Sequence, residues 1–118
     1  MSDKNLLNLI EKEYKRALFF HKQGKLNEAE NLYKKILSLN EKHYFSLENL
    51  GILFCQKKKY DLAKNIFLQA LRINPNSEIA HNNLGSVYTE LKEFNHALKL
   101  FNKAIQINPK FANAYFNL

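Results

Sequence analysis

The sequence has few residues of the kinds that make turns, disulfide bridges or membrane spans. Its 118 residues include three glycines, two prolines and no tryptophan. So little turn and linker material favours long helices joined by short loops. No apolar run approaches the roughly 18 residues of a membrane-spanning helix. The first residues place Asp3 before Lys4 with no apolar stretch behind them, which is not a signal-peptide pattern.

Cysteine and arginine are also scarce. The single cysteine, Cys55, cannot form a disulfide within the chain, which agrees with a reducing compartment and makes the cytoplasm the expected location. The formal net charge is +7, yet only Arg16 and Arg72 among the 18 basic residues are arginine. Lysine is more often a solvated surface charge, whereas phosphate and base recognition favours the guanidinium fork. The positive charge alone therefore does not indicate a nucleic-acid ligand.

The chain repeats itself with a period of about 34 residues. Matched pairs are Leu50-Gly51 with Leu84-Gly85, Ala63 with Ala97, Phe67 with Phe101, Ala70 with Ala104, and Asn74-Pro75 with Asn108-Pro109. This spacing predicts one repeat array with repeats at 10–43, 44–77 and 78–111, an N-terminal helix extension at 1–9, and the start of a fourth repeat at 112–118. Because 112–118 stops within a helix pattern, we expect the chain to be the N-terminal part of a longer protein.

The pattern resembles the tetratricopeptide repeat, which reads W-x2-L-G-x2-Y, then A-x3-F, then P. The third repeat supplies His81, Leu84, Gly85, Tyr88, Ala97, Phe101 and Pro109, and the second supplies Leu47, Leu50, Gly51, Phe54, Ala63, Phe67 and Pro75. The first repeat departs most, with Glu13, Arg16, Ala17 and Glu41 at signature places. The resemblance implies an all-α, right-handed superhelix of antiparallel helix pairs, with three repeats and the first half-helix of a fourth.

The apolar spacing predicts helix pairs at about 44–57 with 60–72 and at 78–91 with 94–106. Glycine and alanine at the signature places remove side chains where helices cross, and Tyr33, Phe67 and Phe101 are expected to fill the space between layers. Residues 4–9 should extend the first helix backwards from Ser2 or Asp3 as the N-cap. Glu13 and Arg16 are expected to face water in a terminal repeat.

The turns between paired helices yield a further prediction. Gly24 stands where a left-handed backbone is needed, and Lys58 and Lys92 hold the equivalent places. We therefore expect a positive φ at both lysines.

Catalytic and metal-binding patterns are missing. The four histidines have no histidine or cysteine at metal-ligand spacing. Cys55 has no third group in phase with any histidine, and there is no glycine-rich phosphate loop. Lys57, Lys58 and Lys59 fall in a turn and are expected to be solvated. We expect no catalytic residue, no metal, no cofactor and no small-molecule substrate.

In the tetratricopeptide family the first helix of each repeat lines a concave groove, where most known members bind ligands. The groove residues that the resemblance implies here include Tyr14, Lys15, Leu18, His21 and Lys22 of the first repeat, and those expected to bind the ligand are Phe45, Glu48, Asn49, Ile52, Asn82, Asn83, Ser86 and Asn117. Asn49, Asn83 and Asn117 recur at one position of successive repeats, a ladder similar to that in the repeat arm of O-linked N-acetylglucosamine transferases, which holds extended peptides by their backbones. An amide can both donate to and accept from a peptide unit. Asparagine that only supports helix contacts is the structural alternative.

The resemblance also tests one ligand type. Family members that bind acidic chaperone tails use lysine, asparagine and arginine at five places that hold Tyr14, Leu18, Asn49, Ile79 and Asn83 here, and only Asn49 agrees. The leading interpretation is therefore a non-catalytic scaffold for another protein or peptide segment.

Three other interpretations stay open. They are the recruiting arm of a larger glycosyltransferase-like enzyme, self-assembly through the C-terminal end, and nucleic-acid binding. Nucleic acid is disfavoured because most lysines fall on second helices and turns. The repeat is also one residue shorter than that of nucleic-acid-binding helical repeats.

Overall fold

The computed structural model describes residues 1–110, and within that range it contains six α-helices and no strand. The helices are α1 (Asp3–Lys22), α2 (Leu26–Leu39), α3 (Tyr44–Gln56), α4 (Tyr60–Ile73), α5 (Glu78–Glu90) and α6 (Phe94–Ile107). The all-α prediction is confirmed, and the helix limits differ from the predicted ones by one residue at the C-terminal ends. Asn117 and the start of a fourth repeat at 112–118 lie outside the described residues. None of the six helices is both long and apolar enough to cross a bilayer.

Side-chain caps begin the first helix of each repeat. The Ser2 hydroxyl accepts a bond from the Asn5 backbone N–H (3.2 Å), and the Ser77 hydroxyl accepts one from Ala80 (3.1 Å). The His43 ring nitrogen takes the same role toward Ser46 (3.3 Å). Each cap satisfies a backbone donor that the first turn leaves unpaired. Ser2 is one of the two predicted caps, and residues 4–9 do extend the first helix.

The turn after each first helix has a left-handed residue, as predicted. The φ angle is 78° at Gly24, 60° at Lys58 and 62° at Lys92. The next residue then donates its N–H back to the helix, from Lys59 to the Phe54 carbonyl and from Glu93 to the Tyr88 carbonyl, both at 2.8 Å. This geometry pairs carbonyls at the helix end and reverses the chain.

An aromatic ring packs directly on the glycine within the second and third repeats. A Cβ added to Gly51 would lie 2.6 Å from Cε1 of Phe67, and one added to Gly85 would lie 2.6 Å from Cε1 of Phe101. The close approach at the glycines was expected. The rings contact the glycine of their own repeat, and Phe67 also belongs to the buried cluster that includes Leu84 and Val87 of the next repeat.

Stacking of the helix pairs brings the first helices together. Helices α2 and α4 each pack on their own first helix and on the first helix of the next repeat, α6 packs on α5, and α3 also contacts α5. The array measures 45 × 26 × 21 Å. We call the outward residues of α1, α3 and α5 that do not pack on the second helices the first-helix face.

Glu13 departs from the sequence prediction. Its side chain is only 2% exposed and accepts bonds from Lys35 Nζ (2.9 Å) and Arg16 Nη1 (2.9 Å). The hydrogen bond from Lys35, followed by that from Arg16, lowers the pKa of the Glu13 carboxyl below its ordinary value of 4.5. The expectation that Glu13 faces water is wrong, because a cation from the second helix pairs with it inside the repeat. Arg16 remains half-exposed, as expected.

Candidate functional site

Two apolar side chains stand at the same repeat position on the first-helix face. Phe45 is 60% exposed and Ile79 is 43% exposed. They lie in the first turns of α3 and α5, one repeat apart, and Ile52 adds a half-buried apolar side chain further along α3. The face therefore offers aligned apolar contacts that the described part of the molecule does not cover.

Asn49 is held by the protein itself. Its Nδ2 donates to the Tyr14 hydroxyl (3.0 Å) and to the Phe45 carbonyl (2.9 Å), so both amide hydrogens are in use. No described residue donates to its Oδ1, which leaves that oxygen as an acceptor. The sequence predicted that the Asn49 amide could both donate to and accept from a bound peptide. In this geometry only its Oδ1 is left for a ligand, and that atom can only accept.

The other predicted polar residues are less accessible. Asn83 is half-buried, and its Nδ2 is enclosed with no hydrogen-bond partner among the described residues. Asn82 is only 6% exposed, although its position in the repeat predicts a groove residue. Glu48 is half-buried close to Tyr14, whose pKa is raised by burial and by the nearby carboxylate. Asn117 lies outside residues 1–110.

A hydrogen-bond bridge that sequence reasoning missed joins the first two repeats. The Tyr33 hydroxyl lies 2.8 Å from His21 Nδ1, and His21 Nε2 lies 2.6 Å from Gln56 Oε1. Because Gln56 Oε1 can only accept, Nε2 carries the proton and Nδ1 accepts from Tyr33. Burial raises the pKa of Tyr33, which keeps its hydroxyl protonated as the donor. The one signal in the sequence is a tyrosine where the later repeats have phenylalanine.

The junction between the second and third repeats has no bridge at the equivalent position. A shift of one repeat takes His21 to Cys55, Gln56 to Glu90 and Tyr33 to Phe67. Phe67 has no hydroxyl and Cys55 is too short to bridge. A cleft of about 200 Å³ lies there instead, lined by Cys55, Tyr60, Ser86, Val87 and Glu90. Burial, with a contribution from the Glu90 charge, raises the pKa of Cys55 to about 11, so the thiol stays neutral.

Helices α3 and α5 carry a charge opposite to that of the whole chain, whereas α1 contains Lys12, Lys15 and Lys22. Helices α3 and α5 contain no lysine or arginine, whereas they carry Glu48, Glu78 and Glu90. Lys57, which follows α3, donates to Asn27 (2.6 Å) and Glu30 (2.7 Å) of the second helix of repeat one. The central part of the face is therefore acidic in a chain of net charge +7.

Within residues 1–110, no three histidine, cysteine, aspartate or glutamate side chains gather as possible metal ligands. His81 Nε2 pairs with the Pro75 carbonyl (2.8 Å), and the Cys55 thiol is a half-buried neutral group.

The stacked and regularly repeated antiparallel helix pairs define a helical-repeat solenoid. Family models match it at three places: tetratricopeptide repeat at 14–43, TPR repeat at 51–92 and tetratricopeptide repeat at 79–111. The chain belongs to the tetratricopeptide-repeat family. Comparison with curated proteins gave no match.

Solved structures of the same fold agree with this assignment. The Arabidopsis OM64 TPR domain superposes with a TM-score of 0.89 at 20% identity, covering 95% of this chain and 93% of that one. The first TPR of Spaghetti (RPAP3) bound to the HSP90 peptide SRMEEVD gives 0.89 at 20% identity, covering 92% and 86%. MamA gives 0.87 at 25% identity, and this chain spans 63% of its length.

Proposed function

We propose that this chain is a non-catalytic scaffold that binds an extended segment of another protein along α3 and α5. The observation that carries the proposal is the pair of exposed apolar side chains, Phe45 and Ile79, at one repeat position, with the Asn49 acceptor one helical turn after Phe45 on α3. The RPAP3 domain, which has the same fold, has been solved with a bound peptide. A cytoplasmic location belongs to the proposal and rests on the lone Cys55.

The spacing of residues along the helices suggests how the segment lies. Phe45 and Ile52 are seven residues apart on α3, which is about 10 Å of helix and about three residues of extended chain. A segment that runs along α3 and α5 would thus place an apolar side chain against Phe45 and Ile79 and another, three residues on, against Ile52. Asn49 Oδ1 would accept a backbone N–H, for about 0.5–1.5 kcal/mol net. Ser86 and, after a side-chain rotation, Asn83 would add polar contacts, and Asn117 would continue the ladder.

The test uses a capped peptide with leucine at every third position and serine elsewhere, titrated into the isotope-labelled chain and followed by NMR. We expect amide shifts confined to α3 and α5. Replacing Phe45→Ser together with Ile79→Ser should abolish them, because the apolar contacts are lost. The matched control is Phe94→Ser, since Phe94 is 61% exposed on α6. Shifts on the second helices, or equal loss in the control, would contradict the proposal.

The same titration measures how much the Asn49 and Asn83 side-chain amides contribute to peptide affinity, apart from the apolar contacts. Asn49→Ala with Asn83→Ala should weaken binding of the leucine peptide by about tenfold, which is two hydrogen bonds at typical strength. Tyr14→Phe is the control, because it removes the bond between Tyr14 and Asn49 but leaves the amide in place. An unchanged affinity in the double variant would leave asparagine with a structural role only.

The two alternatives from the sequence depend on other parts of the protein. A recruiting arm of a glycosyltransferase-like enzyme and self-association through the C-terminal end both involve residues after Lys110. No contact within residues 1–110 favours either over peptide binding.

A further inference from the structure

We infer that the segment bound by this chain carries a basic side chain, which enters the cleft between α3 and α5 and pairs with Glu90. The inference rests on the proposed function and names the chemistry of the partner: apolar residues interleaved with lysine or arginine. An acidic segment such as the peptide bound by the RPAP3 domain would be disfavoured.

The first argument compares two junctions of the array: the first joins repeats one and two, and the second joins repeats two and three. At the first junction a nitrogen from His21 donates to the Gln56 oxygen and closes the gap between the helices. At the second junction the equivalent acceptor is the Glu90 carboxylate, and the residue in the place of His21 is Cys55. Glu90 has no hydrogen bond or ion pair among the described residues. A nitrogen donor supplied from outside would complete the bridge that the first junction makes internally.

Local charge provides the second argument. Glu90 and Glu48 lie on the two helices that contain no lysine or arginine. The lysines of α4 and α6, which are Lys64, Lys99 and Lys103, make no ion pair with either glutamate. Of the lysines in the turns, Lys57 is engaged by Asn27 and Glu30. Lys92, which closely follows Glu90 in the chain, is exposed and makes no ion pair with it. Lys59, which directly precedes the cleft residue Tyr60, is also exposed and makes no ion pair with Glu90. The Glu90 carboxyl is therefore unpaired among the described residues.

The cleft also suits the shape of a basic side chain. Tyr60 and Val87 provide apolar wall, and Ser86 and Glu90 provide oxygen atoms. Long basic side chains pack their methylene stems on apolar surface and keep the charged end at a polar rim. The neutral Cys55 thiol adds no competing charge, and Glu90 is the one acidic residue of the cleft lining.

The experiment compares three capped peptides with leucine at every third position. The residue after each leucine is lysine in the first, serine in the second and glutamate in the third. We expect the lysine peptide to bind the chain at least about threefold more tightly than the serine peptide, and the glutamate peptide to bind most weakly, given the strength of exposed ion pairs. The difference should shrink at high salt.

Variants assign the preference to the cleft. Glu90→Gln should remove most of the preference for lysine, and Glu48→Gln should remove a smaller part. The control, Glu93→Gln with Glu41→Gln, changes the net charge at two exposed sites off the first-helix face and should leave the order of the peptides intact. Cys55→His should close the cleft with a bridge to Glu90 and weaken the lysine peptide selectively.

The outcomes separate the two proposals. Binding of all three peptides with equal affinity, tighter binding of the glutamate peptide, or an equal effect of the control variant would overturn the basic-segment inference while leaving peptide binding in place. If none of the three peptides binds, the proposed function itself fails, and the inference with it.

Discussion

Replacing Gly51 with alanine tests the closest contact inside the second repeat. The added methyl would lie 2.6 Å from Cε1 and 2.7 Å from Cζ of Phe67, so the ring or the helix must move. Overpacking of this kind costs about 1–3 kcal/mol. Alanine is also a better helix former than glycine, by about 1 kcal/mol. The net expectation is a loss of about 1 kcal/mol of unfolding free energy.

A double-mutant cycle isolates the contact. Leucine at position 67 lacks the two ring atoms nearest to Gly51, so Gly51→Ala in a Phe67→Leu background should stabilise the chain by its helix propensity alone. The coupling between the two positions should therefore be about 1–3 kcal/mol, which is in the range for residues in direct contact.

Urea unfolding followed by circular dichroism measures all four members of the cycle. Gly85→Ala with Phe101→Leu should reproduce the result in the third repeat, where the same contact is 2.6 Å. A stabilising Gly51→Ala in the parent chain, or a coupling near zero, would refute the account of the ring lying on the glycine.

Two further predictions concern the turns and the ion-paired carboxylates of Glu13 and Glu30. Lys58→Gly and Lys92→Gly should each stabilise the chain by about 0.5 kcal/mol. Glycine removes the strain of a left-handed backbone at a residue with a Cβ, about 1–2 kcal/mol, but it also increases the entropy of the unfolded chain, which offsets part of the gain. Lys59→Gly is the control, because Lys59 has a φ of −95° and should not gain stability; a gain equal to that at Lys58 would contradict the reasoning. Hydrogen bonds from lysine and arginine lower the pKa values of Glu13 and Glu30 in the folded chain below the ordinary value of 4.5. The two ionised carboxylates therefore contribute to the unfolding free energy above pH 4.5, and this contribution is lost as the pH falls through their pKa values in the folded chain. Urea midpoints should accordingly drop below about pH 4.5, and a Glu13→Gln, Glu30→Gln variant should show a smaller drop; an equal drop would contradict the assignment.

Much of the fold could be predicted from the sequence because its regular repeat supplies several independent constraints. The helix limits came within one residue, and the positive φ at Lys58 and Lys92 followed from the position of Gly24 in the repeat. The error at Glu13 has a physical reason. A charged residue at an apolar place suggests a solvent-facing helix when one sequence is considered, whereas its burial depends on Lys35, which the fold brings from a second helix.

The candidate site was less predictable than the fold. The repeat position placed Phe45 and Ile79 on the first-helix face, where the structure also has them. It did not show that Asn49 is already bonded to Tyr14, because that contact joins residues of neighbouring repeats at different repeat positions. The cleft beside Glu90 was also missed, since it arises from what Cys55 and Phe67 lack in comparison with His21 and Tyr33.

The hydrogen-bond bridge from Tyr33 through His21 to Gln56 also affects the order in which the repeats unfold. In a linear stack each repeat is stabilised by its neighbours, and directional hydrogen bonds resist sliding more than apolar contact does. The first two repeats are fastened in this way. The third meets the second across an open cleft at the C-terminal ends of α3 and α5, and at the opposite ends of these helices the Tyr44 hydroxyl donates to Ser77. We therefore expect hydrogen exchange to report two cooperative units, with α5 and α6 exchanging earlier than α1 to α4. A ligand that fills the cleft would then slow exchange in the third repeat first.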